Sequence, residues 1–406
     1  MSTDLDEKLR AIIHHAYKTS SAIKAIMDDA NILPADILAI NDLEKFPITS
    51  KDRLVELQRQ DPPFGGFLAS PVKNLKHVFL SPGPLYEPHA GEIATADSIR
   101  EMVSLIGFKA GDIVINTFGY HLIPTGLIMD QVLSGMGITV IPAGVGNADL
   151  QIRMMLDLKV TGFIGTPSWL NVLIQKAEEN SIDFTKMMSL QKVLVSAEPL
   201  PPRMRQKFVE NYGLKVLNAY GTAEFGFLAY NLEGGLAMRL TESSIIQIAD
   251  PDTGRTVNTG ESGEVVVTSF NETYPLIRLG IGDLAVSVDP DPGKSLQSER
   301  SIILVGRVGE AIKVRGMFVH PNQLRFAVGQ VPGVMKFQGI VSRPGDRDAF
   351  TLKLVLDVDA PDQQSIIEGL SSSIRSACRI TVDDFMFVEA DQLVGETDMI
   401  IDTRSW

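Results

Sequence analysis

The chain has 406 residues, enough for two or three domains around a large core. It is 44% hydrophobic and 21% charged, an ordinary globular composition, and its formal net charge of −13 at pH 7 leaves no basic excess for a nucleic-acid surface. One cysteine, Cys378, excludes an internal disulfide framework and a multi-cysteine zinc site, and it reads as a small buried residue of a C-terminal helix. The opening residues from Met1 to Glu7 show neither a basic start nor an apolar signal core. No stretch reaches the roughly 20 apolar residues of a membrane span. Residues 122–145 come nearest and are broken by Pro124, Asp130 and Pro142. A cytoplasmic protein without membrane or nucleic-acid partners is expected.

Apolar positions at helical spacing predict helices over residues 5–30 and shorter pieces over 36–55, with Ser50 as an N-cap before Lys51. From about residue 75 the rhythm becomes strand, loop, helix. Strands are expected at 78–80, 112–115, 138–141, 161–164, 192–195 and 214–217. Helices are expected at 93–106, 126–136, 148–158 and 168–180. Such alternation predicts an α/β fold with a parallel sheet covered by helices. After about 235 the chain turns β-rich, with strands at 243–248, 263–268 and 301–304, as in a small barrel or antiparallel sheet. Residues 289–295 read as an exposed loop. The last hundred residues predict a compact α+β unit, with helices at 321–331 and 361–379 and strands at 336–341, 350–356 and 381–388.

Three blocks carry chemistry. The first is Asn218-Ala219-Tyr220-Gly221-Thr222-Ala223-Glu224, which follows the strand ending at Leu217. A glycine turn there presents a ring to stack on a base, a hydroxyl for a phosphate oxygen and a carboxylate for Mg²⁺. The second ends in Gly282-Asp283, where a carboxylate on a glycine-rich turn can accept both hydroxyls of a ribose. A simple Asx turn is the competing reading. The third runs from Gly306 to Pro321, with Arg307, Lys313 and Arg315 among Gly309 and Gly316. Its glycines suit a hinge, and its cations suit either a phosphate or plain solvent.

In this order and spacing the blocks resemble the phenylacetate–CoA ligase family of AMP-forming adenylating enzymes. Further similarity lies in His15-Ala16-Tyr17, the Asp42–Pro47 stretch, Lys51, the stretch 140–147, Gly165-Thr166-Pro167-Ser168 and Ser196-Ala197-Glu198. The resemblance implies an adenylate-forming large domain over 1–305, with parallel sheets flanked by helices and a β-rich subdomain, and a mobile α+β lid over 306–406. It implies ATP/AMP, Mg²⁺, CoA and a small carboxylic acid, aromatic or otherwise hydrophobic, as ligands. Tyr220 would stack on adenine beside Gly221, with Ser196, Ala197 and Glu198 lining the base pocket. Thr222 would touch the α-phosphate, Glu224 would hold Mg²⁺, and Asp283 with Arg307 would take the ribose. The acid would lie near Phe118, Tyr120, His121, Gly126, Gly165, Thr166 and Pro167. Gly309, Lys313, Arg315 and Gly316 would form the hinge and lid junction. An exposed apolar surface on the large domain could support a homodimer.

Two parts depart from the family pattern. Its phosphate loop is rich in Ser, Thr and Gly and ends in Gly-Lys-Pro, whereas residues 81–88 here read Ser-Pro-Gly-Pro-Leu-Tyr-Glu-Pro. Pro82 and Pro84 lack N–H donors, and Glu87 puts a carboxylate where the lysine is expected. The family's adenylation lysine in the closing segment is also missing. Glu396 or Asp398 takes its place, and Lys353 is the last lysine of the chain. One lost charge contact to a transition state costs on the order of 3 kcal/mol, or ~10²-fold in rate. The hinge aspartate is replaced by Gly309. The expected activity is therefore an acid–CoA ligase with a first half-reaction that could be impaired; the alternative is a pseudo-ligase that binds a nucleotide or acyl conjugate. Among the histidines, His320 reads as structural, His77 and His89 flank the altered loop, and His121 fits either a structural or a substrate role. Trp406 suggests no chemistry.

Overall fold

The computed structural model describes residues 4–81, 85–91, 93–315, 317–344, 348–394 and 399–404. Pro82, Pro84, Gly316, Glu396, Asp398 and Trp406 lie outside the described residues. Residue contacts divide the chain into two units. Unit 1 comprises Met1–Gln247, Val266–Ile281 and Val288–Ile303; unit 2 comprises Ile248–Val265, Gly282–Ser287 and Leu304–Trp406.

Unit 1 opens with helices α1 (Asp4–Thr19) and α2 (Ser21–Asp29). Ser20 separates them, because its hydroxyl accepts from Ile23 N–H and caps the second. The short strand β1 (Thr49–Ser50) leads into α3 (Lys51–Gln60), which Ser50 caps in the same way. An antiparallel ribbon follows, β2 (His77–Ser81) and β3 (Leu85–His89), and then α4 (Ile93–Ile106). Next come β4 (Ile113–Asn116), α5 (Thr125–Gly135), β5 (Thr139–Pro142), α6 (Ala148–Asp157), β6 (Gly162–Gly165), α7 (Pro167–Glu179), α8 (Phe184–Met187) and β7 (Lys192–Val195). After α9 (Pro202–Gln206), strand β8 (Lys215–Thr222) completes the parallel series.

The parallel strands lie in the order β5-β4-β6-β7-β8. Their residues are apolar on both faces, as expected of a sheet covered on both sides. Val114, Ile164, Leu194 and Leu217 pack with Ile99, Met102 and Val103 of α4 and with Met129 and Leu133 of α5. The alternate residues Ile115, Phe163, Val193 and Val216 pack with Ile152 of α6 and Leu170, Leu173 and Ile174 of α7. The chain thus leaves β4 for one face and β6 for the other. That reversal opens a crevice at the carboxyl ends of these strands, the usual ligand position in open α/β sheets.

Two expected turns are strand instead. Gly221 does not end the strand at Leu217; β8 continues to Thr222, paired antiparallel with β9 (Gly226–Asn231), with a register shift at Tyr220/Gly221. The turn comes later, at residues 223–225. The sheet continues through β10 (Met238–Leu240). Strands β11 (Ser244–Ala249), β12 (Ser262–Ser269) and β13 (Leu279–Val288) are divided between the two units, and β14 (Ser301–Arg307) pairs with β10. Gly282-Asp283 therefore sits within a ten-residue strand and not on a glycine turn. The alternation of apolar residues along Leu279, Ile281 and Ala285 outweighs the two glycines.

Unit 2 continues through the hairpin β15 (Ile312–Val314) and β16 (Met317–Val319) to α10 (Pro321–Gly329). A mixed sheet of order β19-β18-β17-β20 follows: β17 (Val334–Ser342), β18 (Ala349–Leu356), β19 (Asp384–Phe387) and β20 (Ile400–Asp402). Helix α11 (Gln363–Cys378) packs with α10 on this sheet around Leu324, Val341, Phe350, Leu352, Ile366 and Leu370. Cys378 belongs to this core, and burial pushes its thiol up to about 12, so it is an inert packing residue.

Candidate active site

The loop after β4 is held by buried polar groups. Asn116 donates from Nδ2 to the Tyr120 hydroxyl at 2.8 Å and to Gly126 O at 2.9 Å. Tyr120 in turn donates to Asp130 at 2.9 Å, and burial with this partner raises its hydroxyl above the usual range. Phe118 is enclosed in the core rather than lining open space. His121 is exposed. No side chain fits at Gly126, because a Cβ would stand 2.4 Å from Gly119 O.

At the end of β6, Gly165 touches the neighbouring loop so closely that a Cβ would meet Thr117 Oγ1 at 1.9 Å. Thr166 caps α7, accepting from Trp169 N–H, and Pro167 occupies the first helical position. At the end of β7, Ser196 donates its N–H to Gly165 O at 3.1 Å. Ala197 takes φ +72, a left-handed conformation that a non-glycine residue adopts only under restraint. Glu198 then accepts from Ser168 N–H at 2.6 Å, so its carboxylate meets the positive end of α7.

The β8–β9 hairpin carries Tyr220, Gly221, Thr222 and Glu224. Tyr220 is partly buried. A Cβ on Gly221 would lie 2.3 Å from Gly226 O, so only glycine permits this approach of the two strands. Thr222 Oγ1 is buried without a hydrogen bond. The Glu224 side chain is 2% exposed and forms an ion pair with Lys51 Nζ at 2.8 Å, yet no hydrogen bond of full geometry reaches either carboxylate oxygen.

A second buried acid of unit 1 takes a position other than the sequence suggests. Glu87 was expected to carry a negative charge on the phosphate loop. It lies on β3, turned inward with Leu85 and 3% exposed, and both its oxygens lack hydrogen-bond partners. Burial, and secondly the Glu224 carboxylate, push its pKa up to about 8. Ser81 Oγ is close enough to favour the ionised form, although it too completes no hydrogen bond. Strand alternation was the available signal: if 85–89 is a strand, Leu85 inward puts Glu87 inward. The ribbon is held by Gln58 of α3, which accepts from Tyr86 N–H at 2.9 Å and donates to Tyr86 O at 2.8 Å and to the Tyr274 hydroxyl at 2.9 Å.

In unit 2, Asp283 pairs with Arg307 Nη1 at 2.7 Å. Glu264 accepts from Gly282 N–H at 2.9 Å, and burial beside Asp283 raises its pKa. Gly309 stands in open space. Lys313 lies on β15. Arg315, at φ +50, donates to Thr381 Oγ1 and pairs with Asp383, both at 3.1 Å. Its charge is thus engaged inside the unit. His320 is 1% exposed; its Nδ1 accepts from Asn322 N–H at 3.0 Å, and its Nε2 lies 2.9 Å from a Glu310 carboxylate oxygen and 3.3 Å from the Arg307 backbone nitrogen. Gly306 lies against this ring, where a Cβ would approach Nε2 to 1.9 Å.

The chemistry of the unit 1 site fits a hard divalent cation. Carboxylate and hydroxyl oxygens without hydrogen bonds occur at Glu224 and Thr222, and Mg²⁺ binds through one or two carboxylates with other oxygens. Among the described residues no group of three or more His, Cys, Asp or Glu could hold a metal, and no helix is long and apolar enough to cross a membrane.

Comparison with known proteins agrees with these features. Residues 89–271 match the family model described as AMP-binding enzyme. Phenylacetate–coenzyme A ligase of Aromatoleum evansii is 26% identical over 98% of this chain and 93% of its own length. Its counterpart from Thermus thermophilus is 26% identical over 86% of this chain and 80% of its length. Among solved structures, an open conformation of 2-hydroxyisobutyryl-CoA ligase, in complex with 2-HIB-AMP and CoA, superposes with a TM-score of 0.84 at 20% identity. That match covers 98% of this chain and 90% of the other, and it establishes the adenylate-forming fold. The middle of the chain thus matches the AMP-binding enzyme model, and most of its length is similar to phenylacetate–coenzyme A ligases.

Proposed function

We propose that this protein is an AMP-forming acid–CoA ligase, which joins a carboxylic acid to AMP and passes the acyl group to CoA. The observation that carries the reading is the β8–β9 hairpin: Thr222 and Glu224 hold buried oxygens without hydrogen bonds at the carboxyl end of β8. In this reading Tyr220 stacks on adenine beside Gly221, and Ser196, Ala197 and Glu198 edge the base. Thr222 contacts the α-phosphate, Glu224 holds Mg²⁺, and Asp283 with Arg307 binds the ribose. A bound Mg²⁺ neutralises phosphate charge during attack by the acid. The acid, aromatic or otherwise hydrophobic, meets the loops at Tyr120, His121, Gly126 and Gly165–Pro167, with Phe118 supporting them from the core. Gly309, Lys313, Arg315 and Gly316 form the hinge and lid junction at the start of the mobile C-terminal lid over 306–406.

The second reading, a nucleotide-binding protein without turnover, is favoured by the loop chemistry: residues 81–88 contain no lysine, and no lysine follows Lys353. The burial of Glu87 weakens one argument for it, since a buried carboxyl with a raised pKa is largely neutral at pH 7 and opposes phosphate less than a solvent-facing anion does. Calorimetric titration with AMP and Mg²⁺, followed by a pyrophosphate-release assay over a panel of acids, separates the two. Acid-dependent pyrophosphate release with acyl-CoA formation is the expected result. AMP binding that Asp283→Ala abolishes, without pyrophosphate from any acid, establishes the binding protein instead. The accompanying expectations of a homodimer and a cytoplasmic location are checked by light scattering and cell fractionation.

A further inference from the structure

Three groups approach the two ring nitrogens of His320, all within unit 2. Nδ1 accepts from Asn322 N–H at 3.0 Å, which caps α10. Nε2 faces the Arg307 N–H at 3.3 Å and Glu310 Oε2 at 2.9 Å. A neutral imidazole has one donor and one acceptor nitrogen, so Nε2 cannot accept from Arg307 while it donates to Glu310. Burial, opposed by Glu310 and aided by Arg325, holds the ring below the usual histidine range and so keeps it neutral at pH 7. Two states follow: Nε2 donates to Glu310, or it accepts from Arg307. The backbone around Arg307 is fitted to this ring. Gly306 lies against it with no room for a side chain, and Asn322 Nδ2 donates to Val305 O at 3.1 Å. From that backbone the Arg307 guanidinium reaches Asp283 at 2.7 Å. The Glu310 side chain, by contrast, is 60% exposed at the end of the single turn Val308–Glu310, so water replaces its contact with the ring at little cost.

We propose that His320 is a positioning residue for Arg307: its Nε2 fixes the backbone from which the guanidinium reaches Asp283, and Glu310 competes for the same nitrogen and loosens that hold. The role rests on the reading that Asp283 with Arg307 binds the ribose. Glu310 follows Gly309 directly, so rotation at that glycine moves the competing carboxylate and is felt at the ribose.

Calorimetric titration of the full chain with AMP and with its dideoxyribose analogue is the test, since the ratio of the two affinities reads the grip on the ribose hydroxyls alone. Wild type is expected to prefer AMP, and Asp283→Ala to lose that preference. His320→Asn keeps an oxygen that caps α10 but is too short to reach Arg307. It is expected to weaken AMP binding about fivefold, the scale of one hydrogen bond, and to leave binding of the dideoxy analogue unchanged. His320→Gln gives up the cap but brings an amide towards the Nε2 position, and it is expected to recover most of the loss. A capping role alone predicts the reverse order of the two variants. Glu310→Ala is expected to raise the preference for AMP about threefold. Thermal melts confirm that each variant folds; should the His320 variants fail to fold, Glu310→Ala, which alters an exposed side chain, carries the test. A preference for AMP that survives intact in His320→Asn, or fails to rise in Glu310→Ala, overturns the proposal, and its loss in Asp283→Ala then leaves the ribose reading standing. No preference in wild type overturns both.

Discussion

Two hairpins of unit 1 each carry a buried acid, Glu224 in one and Glu87 in the other, and they are built differently. The β8–β9 hairpin is embedded in the large sheet: β8 has β7 on one side and β9 on the other, and its sharpest constraint is a backbone approach that admits only Gly221. The β2–β3 ribbon is a sheet of two strands, which alone is marginal; one side chain, Gln58, makes two hydrogen bonds to it at Tyr86 and a third to Tyr274, and Leu80 N–H donates to Leu122 O at 2.8 Å. The embedded hairpin keeps the family pattern of ring, hydroxyl and carboxylate. The ribbon is where the phosphate-loop chemistry departs from that pattern. Backbone packing on all sides restricts substitution in the first, whereas a side-chain clamp leaves the second free to change its charge and donors while keeping its place.

The strongest way to break this comparison is at the embedded acid. Glu224→Gln keeps the shape of the hairpin but removes the charge proposed to hold the metal. Acid-dependent pyrophosphate release should fall about 10²-fold or more, the usual scale for losing one preorganised electrostatic contact. A variant retaining near wild-type turnover would move the metal site elsewhere. AMP binding in the absence of metal should change little, which distinguishes a lost ligand from a collapsed site.

The clamp comes next. Gln58→Leu fills a similar volume but strands the Tyr86 N–H and O and the Tyr274 hydroxyl, all partly or fully buried. The expected destabilisation is about 2–3 kcal/mol, read as a shift in the denaturation midpoint. If the ribbon were held mainly by its own ladder, the shift would stay near zero.

These two regions also show where sequence reasoning succeeds. Apart from the one-turn helix α8, the helices and parallel strands from 93 to 195 were legible to within a residue or two, because each strand is apolar on both faces and each helix is amphipathic. Local chemistry misled at Gly221 and Gly282. Both suggested turns, but cross-strand pairing decides their conformation: Gly221 is needed for the closeness of β9, and Gly282, at φ +77, lies beneath the Arg307 guanidinium. Lys51 could be named from the family likeness, but its pairing with Glu224 spans 173 positions of sequence and follows from no local pattern. The inward face of Glu87 was readable only after 85–89 was accepted as a strand, and the prolines at 84 and 88 argued against that.

Glu87 also gives the comparison a pH signature. Its pKa is raised in the folded chain, from an ordinary value near 4.5 to about 8. Between those values the folded state holds more protons than the unfolded one, so stability falls as pH rises. The contribution is complete below about 4.5 and exhausted above about 8. In metal-free buffer, Glu87→Gln should flatten the decline of the unfolding free energy across that window. A slope identical to wild type would mean that Glu87 ionises normally and faces water.

The C-terminal lobe supplies the smallest and opposite effect, since its acids are paired where Glu87 is not. Asp348 accepts from Arg315 N–H at 3.1 Å, Arg343 Nε at 2.8 Å and Arg404 Nη1 at 2.9 Å. The Arg343 hydrogen bond is the first of the causes that lower its pKa from 3.8 to about 2. Here the folded state releases its proton more readily than the unfolded one, so the sign reverses. The stabilisation is present above about pH 4 and is lost as pH falls through about 2. Asp348→Asn should reduce the acid sensitivity of unit 2 between pH 4 and 2, followed by hydrogen exchange of β17 and β18 amides. It should leave the window from 4.5 to 8 untouched, because the two titrations belong to separate units with no shared partner. A change in both windows from either substitution would show that the acids are coupled, and the contrast between a clamped, unpaired carboxyl and a fully paired one would then fail.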